Sequence, residues 1–171
     1  MELEGVDRDV RDQLYKMASA GLCSNIPGQI MTSLMVRGPK RGDPSYASYH
    51  REKKQVFDSL KRRAKIASDG FNSIPGFSCQ EAQGAMYCFP AVSLPDAAIR
   101  LAEENGMAPD TMYAVSLLEK TGICVVPASG FGQEKGRFGF RTTFLPSENE
   151  MVRVVDAVKR HHEDFCKQFS S

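Results

Sequence analysis

The sequence lacks an excess of charge of either sign. Its 171 residues include 22 lysines and arginines against 21 acidic residues, which leaves a formal net charge of +1. Nucleic-acid-binding domains and polybasic membrane anchors carry clustered positive charge, so neither class is indicated. The sequence also lacks a long hydrophobic run, since no apolar stretch approaches the roughly 20 residues that a membrane-spanning helix needs. Its acidic start, Met1 to Gly5, fits neither a signal peptide nor a transit peptide.

Cysteine and histidine are too scattered for a metal site. The five cysteines never occur as Cys-x-x-Cys, and the three histidines form no short spacing with them. A zinc site needs ligands at such short spacings, and an odd number of scattered cysteines is typical of a reducing compartment. The sequence therefore predicts reduced thiols, no metal and a cytoplasmic location, with a mitochondrial location as the alternative.

Hydrophobic periodicity predicts helices and a few short strands, which together indicate an α+β fold. The composition, 42% hydrophobic and 25% charged, is typical of a globular protein. Asp43 and Pro44 fit the start of a long helix that Asp69 and Gly70 would end, and Asp110 fits a helix cap. The expected helices cover 6–20, 27–36, 44–69, 95–106, 110–120 and 147–169, and the expected strands cover 84–89, 123–126 and 138–145.

Arg141 is the sharpest candidate for binding. It lies in the middle of a predicted strand, between Phe140 and Thr142, in a segment apolar enough to be partly buried. A buried charge needs a partner, and the planar guanidinium fits a carboxylate through two parallel hydrogen bonds. That partner is either a carboxylate ligand or an acidic residue of the chain itself, and the second case is the commoner one.

The loop 127–132 is the second candidate. Its glycines at positions 130 and 132 flank Phe131, which lets the backbone turn sharply or approach a ligand. The loop does not continue into the pattern Gly-x-Gly-x-x-Gly, and most such loops are turns. Tyr87 is expected in the core, and His161 and His162 on a solvated face of the last helix. The residues alone thus show a possible carboxylate-binding arginine and no catalytic machinery.

Two neighbouring stretches carry a resemblance to a known family. Residues 121–133 read Thr-Gly-Ile-Cys-Val-Val-Pro-Ala-Ser-Gly-Phe-Gly-Gln, and residues 140–146 read Phe-Arg-Thr-Thr-Phe-Leu-Pro. They resemble the C-terminal part of the alanine aminotransferases, fold-type I pyridoxal phosphate enzymes of the aspartate aminotransferase superfamily. One departure is Ala128, where the family usually has glycine and where alanine requires a negative φ. Supporting stretches occur in order at 23–29, 43–46, 71–72, 75–76 and 83–87.

The resemblance implies a fold and a division of the chain. Residues 44–171 would form the small C-terminal domain, with a short, mostly antiparallel sheet and helices packed on one side. Residues 1–43 would be a helical tail of the cofactor-binding large domain and part of a homodimer surface. This tail is expected to be truncated, because the rest of that domain would precede Met1.

The resemblance also implies roles for the two candidates. Arg141 would bind the α-carboxylate that amino-acid and 2-oxo-acid substrates share. The mouth of the active site, where the small domain closes over the substrate, would be formed by the loop residues Ser129, Gly130, Phe131, Gly132 and Gln133.

No catalytic residue is expected within this chain. The family's Schiff-base lysine lies in a Ser-x-Ser-Lys-Gly run that the sequence does not contain, so it is expected upstream of Met1. Pyridoxal 5'-phosphate is therefore not expected to bind this chain covalently. The implied function is the C-terminal part of an enzyme that converts L-alanine and 2-oxoglutarate to pyruvate and L-glutamate. The alternatives are a glutamate:glyoxylate-type aminotransferase and a non-catalytic fragment that associates with a full-length subunit.

Overall fold

Capping side chains begin the first two helices of the chain. In a computed structural model that describes residues 4–21, 23 and 25–170, the Asp7 side chain accepts the N–H of Asp9 at the start of α1 (Arg8–Ser19). The Asn25 side chain likewise begins α2 (Ile26–Val36). No residue of either helix is buried. Residues 1–3, 22 and 24 of the expected 1–43 tail lie outside the described residues.

The chain divides into two units, Met1–His50 and Arg51–Ser171. The domain boundary expected at residue 43 stays a prediction. Among the described residues, no helix combines the length and the hydrophobicity that a bilayer crossing requires.

The long helix α3 (Tyr46–Asn72) differs from the prediction at both ends. It begins at Tyr46, because the Asp43 carboxylate accepts the N–H of Lys40 at 2.7 Å and closes a preceding turn instead of capping the helix. It also continues through Gly70, where a Cβ atom would lie 2.7 Å from two methyl carbons of Val155. Glycine at this position therefore allows a close contact and does not end the helix.

The strands are antiparallel and shorter than predicted. They are β1 (Phe77–Ser78), β2 (Tyr87–Cys88), β3 (Ala91–Val92), β4 (Val126–Pro127) and β5 (Phe140–Thr143). A three-stranded sheet has the order β2–β5–β4, and β1 pairs with β3 in a second, two-stranded sheet that the sequence did not predict. Gly139 brings the two sheets together, since it bridges Ala91 and leaves no room for a Cβ atom beside the Pro90 carbonyl oxygen.

Three further helices complete the second unit: α4 (Asp96–Glu104), α5 (Pro109–Thr121) and α6 (Glu148–Gln168). Ser147 and Glu150 form a capping box at the start of α6, and Gly122 ends α5 with a φ of +74°. Asp110 does not cap α5, since the N-cap position is occupied by Ala108.

Aromatic rings from α3, α5, α6 and the strands form the core of the second unit. The Phe140 ring lies 6.1 Å from that of Phe71 and 6.3 Å from that of Tyr113, between ring centroids. His161 and His162 join this core and are only 3% and 5% exposed, so their predicted solvated position is wrong. They continue the buried stripe of α6, which contains Met151, Val155, Val158 and Phe165.

Candidate carboxylate-binding site

Arg141 lies in the central strand of the three-stranded sheet. Strand alternation places Phe140 in the core and turns Arg141 to the opposite face of β5. The register pairs Arg141 with Val126 and pairs Tyr87 with Thr143. Since Thr143 is two residues from Arg141, Tyr87 is its diagonal neighbour on the same face. Arg141 is half-buried there.

Two aromatic rings hold the guanidinium group of Arg141. Its Cζ atom lies 4.8 Å from the ring centroid of Tyr87 and 4.8 Å from the ring centroid of Phe131. The face of an aromatic ring attracts a cation electrostatically, but it offers no carboxylate oxygen to the N–H groups. The two rings can therefore position the guanidinium while its donors stay available.

Arg141 has no anionic partner within the part of the chain that the structure describes. None of the ion pairs among those residues includes it, and its side chain makes no hydrogen bond to them. The intrachain ion pair, the commoner case from sequence, is therefore not formed with any described acid. A half-buried cation whose N–H donors bind none of the described residues is suited to an incoming carboxylate.

The predicted loop forms a short 3₁₀ helix, Ala128–Phe131, directly after β4. Ala128 is buried and donates its N–H to the Gly139 carbonyl at 2.9 Å. It does not have a positive φ, which among the described non-glycine residues occurs at Ala85, so alanine is compatible with this position. Gly132 ends the turn with a φ of +71°, a conformation that favours glycine.

The structure places Phe131 beside Arg141 and places Gln133 in the lining of a cleft. Phe131 contacts Arg141 and packs edge-to-face on Phe89, with 5.5 Å between ring centroids. Gln133 instead borders a cleft of about 840 Å³ whose lining includes Phe89 and Arg137 but not Arg141.

Sequence reasoning missed two residues that organise this site. Tyr87 is 47% exposed, so its predicted core position is wrong; the pairing of β2 with β5 places it beside Arg141. Asp110 is only 3% exposed and accepts the Ser129 N–H at 2.7 Å. Strand alternation shows which residues of β2 share a face, but only the register with β5 shows that Tyr87 lies on the same face as Arg141. No local sequence signal relates Asp110 to the loop.

A separate polar group lies in the core between α5 and α6. His161 Nε2 is 3.0 Å from the Ser116 hydroxyl oxygen. Burial, with the charges of Lys120 and His162, lowers the pKa of His161 to about 4. Burial also raises the pKa of Tyr113. These shifts keep both groups neutral near pH 7, which is the expected state of core side chains.

The chain's own residues do not fit the amine that would hold an aldehyde cofactor. Every lysine is exposed, whereas such an amine must lie against the cofactor in a protected site. In the described residues, no group of three or more His, Cys, Asp or Glu side chains is placed to hold a metal ion. The arrangement around Arg141 can therefore bind and orient a carboxylate.

Comparisons with curated proteins and with solved structures point to the same group of relatives. Alanine aminotransferase 2 from Panicum miliaceum is 50% identical over 169 residues, which are 99% of this chain and 35% of that protein. Glutamate–glyoxylate aminotransferase 1 from Arabidopsis thaliana is 44% identical over 170 residues, 99% of this chain and 35% of that protein. The solved alanine aminotransferase from Pyrococcus furiosus is 26% identical, with a TM-score of 0.64 over 96% of this chain and 36% of that one.

The chain spans about a third of the length of the curated relatives it matches. The family model described as aminotransferase class I and II matches residues 5–158. The mixed helical and antiparallel fold agrees with that of the fold-type I aminotransferases, as the resemblance implied. The chain therefore belongs to the aminotransferase class I and II family.

Proposed function

We propose that the chain is the C-terminal part of an alanine aminotransferase, and that Arg141 binds the α-carboxylate of its substrates. The complete enzyme would convert L-alanine and 2-oxoglutarate to pyruvate and L-glutamate. One observation carries the role of Arg141: two aromatic rings hold its guanidinium, and no described acidic residue pairs with it. The 50% identity to an alanine aminotransferase supports the choice of reaction.

The contribution of Arg141 is binding and orientation. Its planar guanidinium can donate two parallel hydrogen bonds to a carboxylate. A carboxylate held in this way has a defined direction, which limits the orientations that the Cα–H bond of the substrate can take. Pyridoxal phosphate, the cofactor of this family, supplies the electron sink for the bond broken at Cα when it is bound.

The five loop residues from Ser129 to Gln133 would border the bound substrate. Phe131 supports this role because it contacts the guanidinium directly. Its ring would also exclude water from one side of the ion pair between Arg141 and the substrate, which strengthens that pair.

An enzyme that carries this chain in place of the C-terminal third of the Panicum miliaceum protein tests the proposal. We expect this enzyme to transaminate alanine with 2-oxoglutarate. The substitution Arg141→Gln removes a charged, two-bond contact, so KM for alanine and for glutamate should rise about a hundredfold. Arg100→Lys, at an exposed position of α4, is the matched control and should leave KM unchanged. An unchanged KM in R141Q would show that Arg141 does not bind the carboxylate.

Because the lysines of the chain do not fit the cofactor, the 171-residue protein by itself should show no turnover. It should also show no visible absorbance from lysine-bound pyridoxal phosphate after incubation with the cofactor and removal of the excess. A stable visible band would contradict this part of the proposal.

The glutamate:glyoxylate reaction is a second candidate, favoured by the 44% identity to an enzyme of that name. A panel of amino donors and oxo-acid acceptors distinguishes the two reactions when it is tested on the fused enzyme, the Panicum miliaceum protein that carries this chain as its C-terminal third. Preference for alanine with 2-oxoglutarate supports the first function, and preference for glutamate with glyoxylate supports the second. The cytoplasmic location and the homodimer of the complete enzyme stay predictions.

The third candidate is a non-catalytic fragment that associates with a full-length subunit. The exposed apolar side chains of α2 favour it. Sizing of the 171-residue chain with and without the intact Panicum miliaceum enzyme tests it. A joint species that elutes ahead of both components is expected from this function, and separate elution argues against it.

A further inference from the structure

We infer that Asp110 is a positioning residue for carboxylate binding, because its buried side chain fixes the loop that places Phe131 against Arg141. The inference rests on the proposed role of Arg141 and adds a residue to which neither the sequence nor the resemblance gives such a role. Asp110 does not touch the guanidinium; it acts through the backbone of Ser129.

Asp110 is buried at the start of α5 and points to the loop. It is the second residue of the helix and only 3% exposed. Its Oδ2 atom accepts the Ser129 N–H at 2.7 Å, while its Oδ1 atom has no hydrogen-bond partner among the described residues. A buried carboxyl group with one oxygen unsatisfied is costly. Losing the bond to the Ser129 N–H as well would leave both oxygens unsatisfied, so this bond holds the side chain towards the loop.

Hydrogen bonds from two backbone N–H groups fix the start of the 3₁₀ helix from opposite directions. The N–H of Ala128 is bound by the carbonyl of Gly139, at 2.9 Å, next to the central strand. The N–H of Ser129 is bound by Asp110 of α5. The Ser129 hydroxyl also lies 3.5 Å from the hydroxyl of Thr111, the residue after Asp110. The loop is therefore held both to β5 and to α5 just before it reaches Phe131.

Phe131 depends on this attachment for its position. Its ring is 45% exposed, so packing around it is incomplete, and glycines flank it at positions 130 and 132. Among the described residues, its ring interacts with the ring of Phe89 and with the guanidinium of Arg141. Loss of the bond from Asp110 to Ser129 should let the loop move and should weaken the contact between Phe131 and Arg141.

Solution NMR of the ¹⁵N-labelled 171-residue chain tests the inference without an activity assay. Asp110→Ala should raise the exchange rate of the Ser129 amide about tenfold, since one hydrogen bond is lost. It should also shift the Arg141 Nε–H signal, which nearby aromatic rings displace. Asp110→Asn keeps an acceptor oxygen and should restore part of the protection. Asp96→Ala is the matched control, because Asp96 is exposed in the first turn of α4 and should change neither signal.

Phe131→Leu keeps the inference testable if D110A does not fold. This substitution leaves the Asp110–Ser129 bond in place, so the Ser129 amide should stay protected while the Arg141 signal shifts. D110N should then show intermediate exchange at Ser129. If D110A, or D110N where D110A is unfolded, leaves both the Ser129 exchange rate and the Arg141 signal unchanged, the inference is wrong.

Kinetics of the fused enzyme distinguish a failure of this inference from a failure of the proposed function. D110A should raise KM for alanine severalfold with a smaller change in kcat, because it disturbs binding and not the reacting atoms. If R141Q leaves KM unchanged, the proposed function fails. If R141Q raises KM and D110A does not, the role of Asp110 fails while the role of Arg141 stands.

Discussion

At the scale of the residue, His161 occupies a position on α6 where an apolar side chain would be expected. Burial lowers its pKa to about 4 from an ordinary value of 6.5, so the unfolded chain binds a proton more readily than the folded one. Its contribution to stability is therefore complete above pH 6.5 and lost as the pH falls towards 4. We expect the free energy of unfolding to fall by about 3 kcal/mol across this window, measured by urea denaturation at each pH.

Four groups on α5 and α6 face His161. Ser116 and Lys120 of α5 and His162 and Asp164 of α6 interact with it. His161→Phe removes this titrating group, so the free energy of unfolding should depend less steeply on pH between 6.5 and 5. Part of the pH dependence should remain, because the pKa of His162 is also lowered. Gln29→Ala changes an exposed residue that does not titrate and should leave the slope as it is. Equal slopes in the parent and H161F would refute this assignment.

At the scale of the element, the crossing of α3 and α6 depends on Gly70. A Cβ atom there would lie 2.7 Å from both methyl carbons of Val155. Alanine gains about 1 kcal/mol of helix propensity over glycine, but overpacking of a core costs about 1–3 kcal/mol. We therefore expect Gly70→Ala to lower the free energy of unfolding by about 1 kcal/mol, measured by denaturant titration.

A double-mutant cycle checks the cause of this loss. Val155→Ala makes room for the new methyl group, so adding Gly70→Ala to that variant should stabilise it and not destabilise it. Gly28→Ala in α2 is a control, since its nearest atom lies 3.6 Å from the added Cβ atom, and it should cost no stability. Greater stability in G70A alone would contradict the close contact.

At the scale of the whole molecule, α2 exposes an unusual number of large apolar side chains. Those of Ile30, Met31, Leu34 and Met35 are between 55% and 80% exposed. Contiguous apolar surface of this kind favours association. The 171-residue chain should therefore form larger species as its concentration rises, measured by size exclusion with light scattering.

Charge placed on α2 should reverse this behaviour. The double substitution Leu34→Glu with Met35→Glu should shift the chain towards the monomer. The same charges placed on α5, by Val115→Glu with Leu118→Glu at positions that are 44% and 43% exposed, are the control and should have less effect. A parent chain that stays monomeric at every concentration would refute the prediction.

Much of the local structure could be predicted because it depends on neighbours in the chain. The capping box at Ser147, the helix end at Gly122 and the face of β5 that buries Phe140 follow from residues a few positions apart. Asp43 and Gly70 were predicted wrongly at the ends of α3, because a turn and the contact with Val155 changed what their residue types favour.

The sequence by itself determined the family, the helices and the candidacy of Arg141, since motifs and periodicity are properties of the chain. Only the tertiary structure decided which residues surround that arginine. Tyr87 reaches Arg141 through the register of two strands, and Asp110 reaches Ser129 across 19 positions. Packing also decided that His161 and His162 are buried. Contacts between distant residues depend on how the elements pack, and no local pattern of residues specifies that packing.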